Sequence, residues 1–194
     1  MRADGFTGMA NLKIRLPVLL LAGVALVALG ACATLQQGPS GNARVPEPAK
    51  TVELDRYLGR WYELARYEQG FQKDCEAVTA DYSLRDDGLI RVVNTCHEGA
   101  LNGPVKQAEA RAKVVADSGN AKLKVSFFGP FYVGNYWVLD HADDYSWAIV
   151  GEGSGRYLWL LSREPNPSPE LRERLWSRTG ELGYDLSMLR VTQH

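Results

Sequence analysis

The chain has 194 residues, with 22 Lys and Arg against 23 Asp and Glu, so its formal net charge at pH 7 is −1. No Lys/Arg cluster is visible, and this argues against nucleic acid as a partner, because neutralising phosphates needs a basic face. Residues 32–194 carry a net charge near −3 and are numerous enough for one domain with a core or an internal cavity.

The N-terminal region contains an apolar run over residues 16–29, preceded by basic residues. A run of about fourteen residues is short for a ~30 Å hydrocarbon core, which favours a cleaved secretory signal over a membrane span. Residues 29–32, Leu-Gly-Ala-Cys, resemble a bacterial lipoprotein signal, in which the cysteine thiol receives acyl chains such as palmitate and becomes the new N-terminus. We therefore predict a signal peptide over 1–31 and lipidation of Cys32.

Two alternatives stay open for this segment. A plain signal peptide cut near Ala31 or Ala33 would make Cys32 incidental, and an uncleaved run would serve as a single-pass anchor. If Cys32 is lipidated, the usual bacterial sorting pattern favours the outer membrane, because residue 33 is alanine and not aspartate. The protein would then be lipid-anchored at the outer membrane and face the periplasm.

Residues 32–52 are polar and rich in Gly and Pro, which predicts a flexible tether. From residue 53 to 194 the texture changes to short β-rich runs separated by turn signals. This region is predicted to be a single folded domain.

The β-rich runs predict a hairpin followed by several further strands. A hairpin over Val78–Cys96 turns at Asp86-Asp87-Gly88, and a strand near 105–115 follows. Residues 122–127 alternate strictly, so that Leu123, Val125 and Phe127 share one face. Further strands are predicted over 132–140, 145–151 and 156–163, and a last one over 184–192.

One helix is predicted after these strands. Ser168 can cap it, Pro169 suits the first helical position, and Gly183 supplies the stop. Eight or so short strands followed by one C-terminal α-helix indicate an all-β fold, an eight-stranded up-and-down antiparallel barrel. The pattern alone also permits a sandwich.

Three cysteines fit an exported protein. With Cys32 lipidated, Cys75 and Cys96 remain as a disulfide pair, although two free thiols are the alternative. His97, His141 and His194 have no metal-ligand spacing with the cysteines, so no metal or cofactor is predicted.

Several motifs resemble those of one protein family. Gly59-Arg60-Trp61 looks like the Gly-x-Trp signature of lipocalins, and segments 125–131, 157–163 and 183–186 are similar, in this order, to segments of the bacterial lipocalins. The resemblance covers residues 54–192. It departs from the family at residues 141–145, His-Ala-Asp-Asp-Tyr, where the family has a Thr-Asp-Tyr turn.

The resemblance implies a barrel whose base is plugged by Trp61, with Arg163 packed over the indole ring. It also implies an outer-membrane lipoprotein that binds fatty acids or lysophospholipids for lipid storage, transport or clearance. A dry interior suits a long acyl group, since each buried methylene contributes ~0.8 kcal/mol.

Strand alternation predicts which side chains would line the interior if Arg163 points inward. The predicted ligand-binding residues are Ala80, Tyr82, Val92, Asn94, Ala112, Leu123, Val125, Phe127, Tyr136, Val138, Tyr157, Trp159 and Leu161. Asn94 and the tyrosine hydroxyls are expected to meet a polar head group near the mouth. The same alternation would fit a solid core, and the resemblance favours a cavity.

An enzyme and an envelope scaffold are the two alternatives to a carrier. Catalysis finds little support, because the serines lack a Gly-x-Ser-x-Gly elbow and only His141, Asp143 and Asp144 resemble acid/base chemistry. An envelope scaffold with a filled barrel could bind another protein through exposed Phe131, Tyr132 and Trp147. Homodimerisation through such residues is a further hypothesis.

Overall fold

A computed structural model describes residues 39–194, and the predicted signal segment and Cys32 lie outside them. The strands of this part are β1 (Gly59–Tyr67), β2 (Cys75–Leu84), β3 (Ile90–Glu98), β4 (Val105–Val114), β5 (Lys122–Ser126), β6 (Gly134–His141), β7 (Trp147–Gly151), β8 (Leu158–Ser162) and β9 (Leu189–Val191). The helices are α1 (Leu54–Tyr57) and α2 (Pro169–Glu181), and short 3-10 turns lie at Gly70–Gln72 and Leu186–Met188.

The first eight strands form a closed barrel. Each of β2 to β7 pairs antiparallel with the next strand, and β1 closes the ring by pairing with β8 on one side and β2 on the other. The predicted eight-stranded up-and-down barrel is therefore confirmed. Closure removes the unpaired edges that an open sheet would expose.

The two ends of the barrel differ in their connections. The turns β2–β3, β4–β5 and β6–β7 lie where β1 begins, and α1 packs there through the Glu53 amide, which donates to the Tyr145 hydroxyl at 2.8 Å. We call this the closed end. The loops β1–β2, β3–β4, β5–β6 and β7–β8 lie at the opposite end, which we call the mouth.

Where α2 packs against the outside of the barrel, the wall is buried on both its inner and its outer face. On β7, Ala148 and Val150 face the interior, whereas Trp147 and Ile149 pack outward in a cluster that includes Leu175 of α2. The prediction that Trp147 is an exposed interface residue is therefore wrong, because the helix covers its ring.

The predicted C-terminal helix is confirmed in place and in its cap. The Ser168 hydroxyl accepts a hydrogen bond from the Leu171 amide at 3.3 Å, and Pro169 occupies the first position. The helix ends at Glu181, and Gly183 follows with φ +90°. Among residues 39–194, no helix is long and apolar enough to cross a membrane.

Residues 40–52 of the predicted tether lie along the barrel wall. The Gly41 amide donates to the Gly155 carbonyl at 3.0 Å near the mouth, and the Val52 amide donates to the Gly119 carbonyl at 2.8 Å at the closed end. The buried Asn42 side chain donates to the Leu182 carbonyl at 2.9 Å. This part of the segment is thus held by defined contacts and does not act as a free spacer.

Candidate functional site: the barrel interior

A cation–aromatic pair closes the base of the barrel. Trp61 is fully buried, and its indole Nε1 donates to the Tyr57 carbonyl at 2.8 Å. The Arg163 guanidinium carbon lies 3.8 Å from the centroid of the Trp61 ring. The same guanidinium donates to the carbonyls of Arg60 and Arg56, each at 2.7 Å, and burial lowers its pKa. The arrangement seals this end against solvent.

A hydrogen-bonded group of three tyrosines fills the space above the plug. The Tyr136 hydroxyl lies 2.7 Å from that of Tyr57 and 2.9 Å from that of Tyr82. Burial raises the pKa of Tyr82 to about 12, and it raises the pKa of Tyr57 and Tyr136 well above the ordinary value. These hydroxyls remain protonated at neutral pH and satisfy one another.

Small side chains face the interior on β4. Ala108, Ala110 and Ala112 share the inward face, and Ala108 lies opposite Asn94 on β3. Ala112 is fully buried near the closed end, whereas Ala108 is exposed and Asn94 half-buried. Within residues 39–194 the Asn94 amide has no hydrogen-bond partner. Accessibility of inward-facing residues therefore increases toward the mouth.

Some larger inward-facing side chains are partly exposed as well. Val125, Tyr136 and Trp159 pack against the interior apolar cluster, yet each is only half-buried. A core at ordinary protein density would exclude solvent from side chains that point into it. These inward-facing side chains therefore keep partial contact with solvent, and Trp159 does so near the mouth.

A buried ion pair lies on the inward face near the mouth, and the sequence did not predict it. Arg66, fully buried, donates to a carboxylate oxygen of Glu63 at 2.8 Å. The other carboxylate oxygen accepts from the side-chain amide of Gln72, whose carbonyl oxygen accepts from the Trp159 indole at 3.0 Å. This network joins the β1–β2 loop to the interior wall.

Ten of the thirteen predicted ligand-binding residues lie in the interior cluster. They are Ala80, Tyr82, Val92, Ala112, Leu123, Val125, Tyr136, Val138, Trp159 and Leu161. Asn94 lies on the same face of β3, next to Val92 in the alternation. Whether these residues bind a ligand stays a prediction.

Two of the predicted residues lie elsewhere. Strand β5 ends at Ser126, so Phe127 belongs to the β5–β6 loop, where its side chain is 46% exposed. Tyr157 precedes β8, and its ring stacks on Phe71 at 6.3 Å and on Trp159 at 5.9 Å between centroids. Both residues are therefore at the rim of the mouth, and not on the interior wall.

The predicted meeting of tyrosine hydroxyls with a head group at the mouth needs a correction as well. The hydroxyls of Tyr82 and Tyr136 point toward each other and toward Tyr57, next to the plug. Strand alternation identified the face of each residue correctly, but it carries no information on how far a long side chain reaches along the barrel axis.

The predicted disulfide is confirmed. Cys75 and Cys96 are joined, with 5.4 Å between their Cα atoms, across the β2–β3 pair at the mouth. The bridge restricts the unfolded chain and contributes about 3 kcal/mol. Within residues 39–194, no group of three or more His, Cys, Asp or Glu side chains is arranged to hold a metal ion.

The residues that resembled acid/base chemistry have structural partners in the β6–β7 turn. The His141 ring nitrogens lie 2.8 Å from the Ala142 carbonyl and 3.0 Å from the Thr51 carbonyl. Asp143 pairs with Lys50 at 2.8 Å, and this contact lowers the pKa of Asp143. The imidazole connects the N-terminal segment to the turn.

A groove of about 530 Å³ lies outside the barrel, between Lys50 and α2. Its lining includes Asp140 and Glu181, which both pair with Arg178, at 2.6 and 3.0 Å. Because its lining residues are charged or polar apart from Trp147, this groove does not suit an acyl chain. The barrel interior is the better candidate site.

Known proteins agree with this architecture. A family model described as a lipocalin-like domain matches residues 52–194. An outer membrane lipoprotein Blc of Vibrio cholerae is 39% identical over 163 residues, covering 84% of this chain and 94% of that protein. A protein of the same name from Escherichia coli K12 is 42% identical over 135 residues, covering 70% of this chain and 75% of its own length.

Solved structures share the fold at lower identity. Insecticyanin from the tobacco hornworm Manduca sexta matches with a TM-score of 0.63 and 20% identity, over 80% of this chain and 88% of that one. The siderocalin Ex-FABP matches with a TM-score of 0.51 and 20% identity, over 72% and 95% of the two chains. With its plugged barrel and the family match over most of its length, this chain belongs to the lipocalin family, among the bacterial lipocalins.

Proposed function

We propose that the protein is a carrier that binds a long acyl chain in its barrel, and that it works at the outer membrane. The observation that carries the proposal is that the inward-facing residues are largely apolar, with Trp61 fully buried at the plug and Ala108 and Trp159 still exposed or half-buried toward the mouth. A fatty acid or a lysophospholipid matches that shape, because one hydrocarbon chain can enter tail first while its head group stays at the mouth.

The energetics favour such a ligand over a polar one. The inward face of β4 offers the methyl groups of Ala108, Ala110 and Ala112, and other walls offer Val125 and Trp159. Each methylene that moves from water into this lining contributes ~0.8 kcal/mol. A long acyl chain therefore gains enough to offset the cost of ordering it.

The mouth offers polar contacts for a head group. The Asn94 side chain faces inward and has no hydrogen-bond partner among residues 39–194. The carboxylate and guanidinium of Glu63 and Arg66 already satisfy each other. We therefore assign head-group contact to Asn94 and place the acyl chain among the predicted lining residues deeper in the barrel.

Anchoring through Cys32 is part of the proposal. The proteins from V. cholerae and E. coli are named outer membrane lipoproteins, and residues 29–32 resemble a lipoprotein signal. Lipidation at Cys32 would keep the carrier at the periplasmic face of that membrane. A Cys32→Ser protein is expected in the soluble periplasmic fraction, and retention in the membrane would contradict the anchor.

Binding can be tested with a variant that fills the accessible space. Ala108→Trp places an indole on the inward face opposite Asn94, and it is expected to weaken displacement of a fluorescent fatty acid about tenfold or more, since the indole occupies the path of the acyl chain. Ala116→Trp, on an exposed residue of the β4–β5 turn, is the matched control.

Native mass spectrometry of protein extracted from its own membrane complements this measurement. The carrier proposal predicts a bound species with the mass of an acyl lipid. A spectrum of ligand-free protein, together with equal probe binding by Ala108→Trp and Ala116→Trp, would contradict the proposal.

A further inference from the structure

The mouth carries most of the large apolar side chains that residues 39–194 expose. Three loops contribute them, and the β5–β6 loop contributes four: Phe128 is 85% exposed, Val133 83%, Phe131 70% and Phe127 46%. We call the set the apolar rim, and its members are Phe71, Leu101, Phe127, Phe128, Phe131 and Val133. Several large apolar side chains exposed at one end of a domain mark an interaction site.

Cations without carboxylate partners lie on the outer wall below the β5–β6 loop. Among the described residues, Arg111, Lys113 and Lys124 form no ion pair. Their side chains instead reach the loop and the strand that follows it: Arg111 donates to the Gly129 carbonyl at 2.6 Å, and the Lys113 ammonium lies 4.5 Å from the centroid of the Tyr132 ring. Lys124 donates to the side-chain oxygen of Asn135 at 2.5 Å.

Cations further along the same wall are paired. Arg91 contacts Glu109 at 2.6 Å, and Arg60 contacts Asp81 at 2.9 Å. Arg111, Lys113 and Lys124 therefore place positive charge without a carboxylate partner beside the apolar rim. Exposed aromatic side chains next to Arg and Lys side chains are a combination that binds the interface of an anionic bilayer.

The course of the chain brings the N-terminal segment to the same end. The Ser40 hydroxyl donates to the Ser154 carbonyl at 2.9 Å, in the β7–β8 loop of the mouth. Seven residue steps separate Cys32 from Pro39, and an extended chain spans at most about 3.6 Å per residue, so about 25 Å. An acyl anchor on Cys32 would therefore hold residue 39, and with it the mouth, within about 25 Å of the bilayer.

We propose that the apolar rim docks on the anionic surface of the bilayer in which the protein is anchored, so that the mouth opens against the lipid. The orientation rests on the proposed anchoring at Cys32, whereas the rim and its cations are independent of it. A second copy of the chain is the less suitable occupant, because a two-fold contact through the rim would bring the unpaired cations of both copies together.

Depth measurements on the anchored lipoprotein test the orientation. A nitroxide is attached to Phe131→Cys or, as the control, to Leu84→Cys, since Leu84 is 61% exposed in the part of β2 that lies at the closed end. The protein is reconstituted into vesicles of phosphatidylethanolamine and phosphatidylglycerol. We expect several-fold higher collision with oxygen than with a water-soluble nickel chelate at position 131, and the reverse at position 84.

Vesicle binding by the Cys32→Ser chain tests the surface without the anchor. Phe128→Ser combined with Phe131→Ser is expected to lower affinity for phosphatidylglycerol vesicles about tenfold or more. Lys113→Gln and Lys124→Gln are each expected to lower it about fivefold and to reduce its salt dependence. Leu84→Ser and Arg174→Gln, on surfaces away from the rim, are the matched controls and should change affinity little.

The outcomes separate docking from carrying. Labels in water at both positions, equal losses from the rim and control variants, or a label-to-label contact between copies at position 131 would each overturn the docking proposal. Binding of a fluorescent fatty acid is measured in the same variants. Intact docking with no probe binding would instead contradict the carrier function and leave the docking proposal standing.

Discussion

Arg163 closes the barrel because its guanidinium contacts an aromatic ring and several backbone carbonyls at the same time. One face of the group stacks on Trp61, and its edge donates to backbone carbonyls of α1 and of the start of β1. Gly59 adopts φ +92° beside it, a conformation that side chains other than glycine rarely tolerate. The geometry depends on a planar group with several fixed donors.

Arg163→Lys is expected to lower the free energy of unfolding by about 2 kcal/mol, because an ammonium keeps the charge but neither stacks nor reaches several carbonyls. Urea denaturation followed by tryptophan fluorescence measures the change. Arg172→Lys is the control, since its guanidinium carbon lies 5.7 Å from the Trp176 ring on the exterior helix. Equal stability of the two variants would argue against a closing role for Arg163.

The direction of individual side chains was predicted correctly inside regular strands, but not where the backbone leaves a strand. The alternation of Leu123 and Val125 predicts Phe127 on the same face. The Ser126 hydroxyl instead donates to the Gly129 carbonyl at 3.0 Å, and the resulting turn sends Phe127 to the rim. A pattern of apolar residues does not reveal such a local hydrogen bond.

At the scale of elements, the Glu63–Arg66 pair holds three segments together. Arg66 donates to the Gln72 carbonyl at 3.0 Å in the β1–β2 loop, and Glu63 accepts from the Thr192 hydroxyl at 2.5 Å beyond β9. Strand β9 pairs with residues 65–67 of β1, beyond residues 59–62, which pair with β2. The buried charges thus fasten the C-terminal strand to the barrel.

Glu63→Gln is expected to lower the free energy of unfolding by about 3 kcal/mol, because it leaves the guanidinium of Arg66 buried with only the partly exposed Glu68 as a counter-ion. Thr192→Val removes a single hydrogen bond and should cost about 1 kcal/mol. Urea denaturation of both variants measures the two losses in free energy of unfolding, and the loss for Glu63→Gln should be the larger. A loss below that of Thr192→Val would show that the pair does not fasten the strand.

The elements were predicted more completely than their irregularities. Alternating apolar residues and turn residues located the strands β2 to β8 to within a few residues, although β7 is apolar on both faces. The bulge between Glu63 and Ala65 aligns Arg66 with Trp159 on the inward face, which regular alternation from Trp61 does not predict. Helix α1, with four residues, is too short to produce a helical period.

At the scale of the whole molecule, the segment at residues 40–52 connects the mouth to the closed end along the barrel wall. Gly and Pro in this segment suggested a flexible spacer, but backbone amides such as that of Ala49, which donates to the Leu139 carbonyl at 2.8 Å, hold it to the wall. Backbone hydrogen bonds leave no compositional trace, so sequence patterns could not distinguish this strap from a free linker.

The interior tyrosines make the stability of the whole domain sensitive to alkaline pH. Unfolded tyrosines lose their protons near pH 10, whereas burial raises the pKa of Tyr82 to about 12 and that of Tyr57 and Tyr136 upward as well. Above pH 10 the folded state therefore binds more protons than the unfolded state. The stabilisation is complete below pH 10 and is lost as pH rises toward the folded pKa.

We therefore expect the free energy of unfolding to fall steeply between about pH 10 and pH 12, by up to ~1.4 kcal/mol per pH unit for each retained proton. Tyr82→Phe should reduce this slope by about one proton while leaving the dependence below pH 9 unchanged, since the hydroxyl is neutral there in both states. Urea denaturation at successive pH values measures the slope, and absorbance near 295 nm follows tyrosinate formation. Ionisation of these tyrosines in the folded protein near pH 10 would contradict their burial. Tyr136→Phe should reduce the slope by a similar amount, because it too removes one hydroxyl whose pKa burial raises.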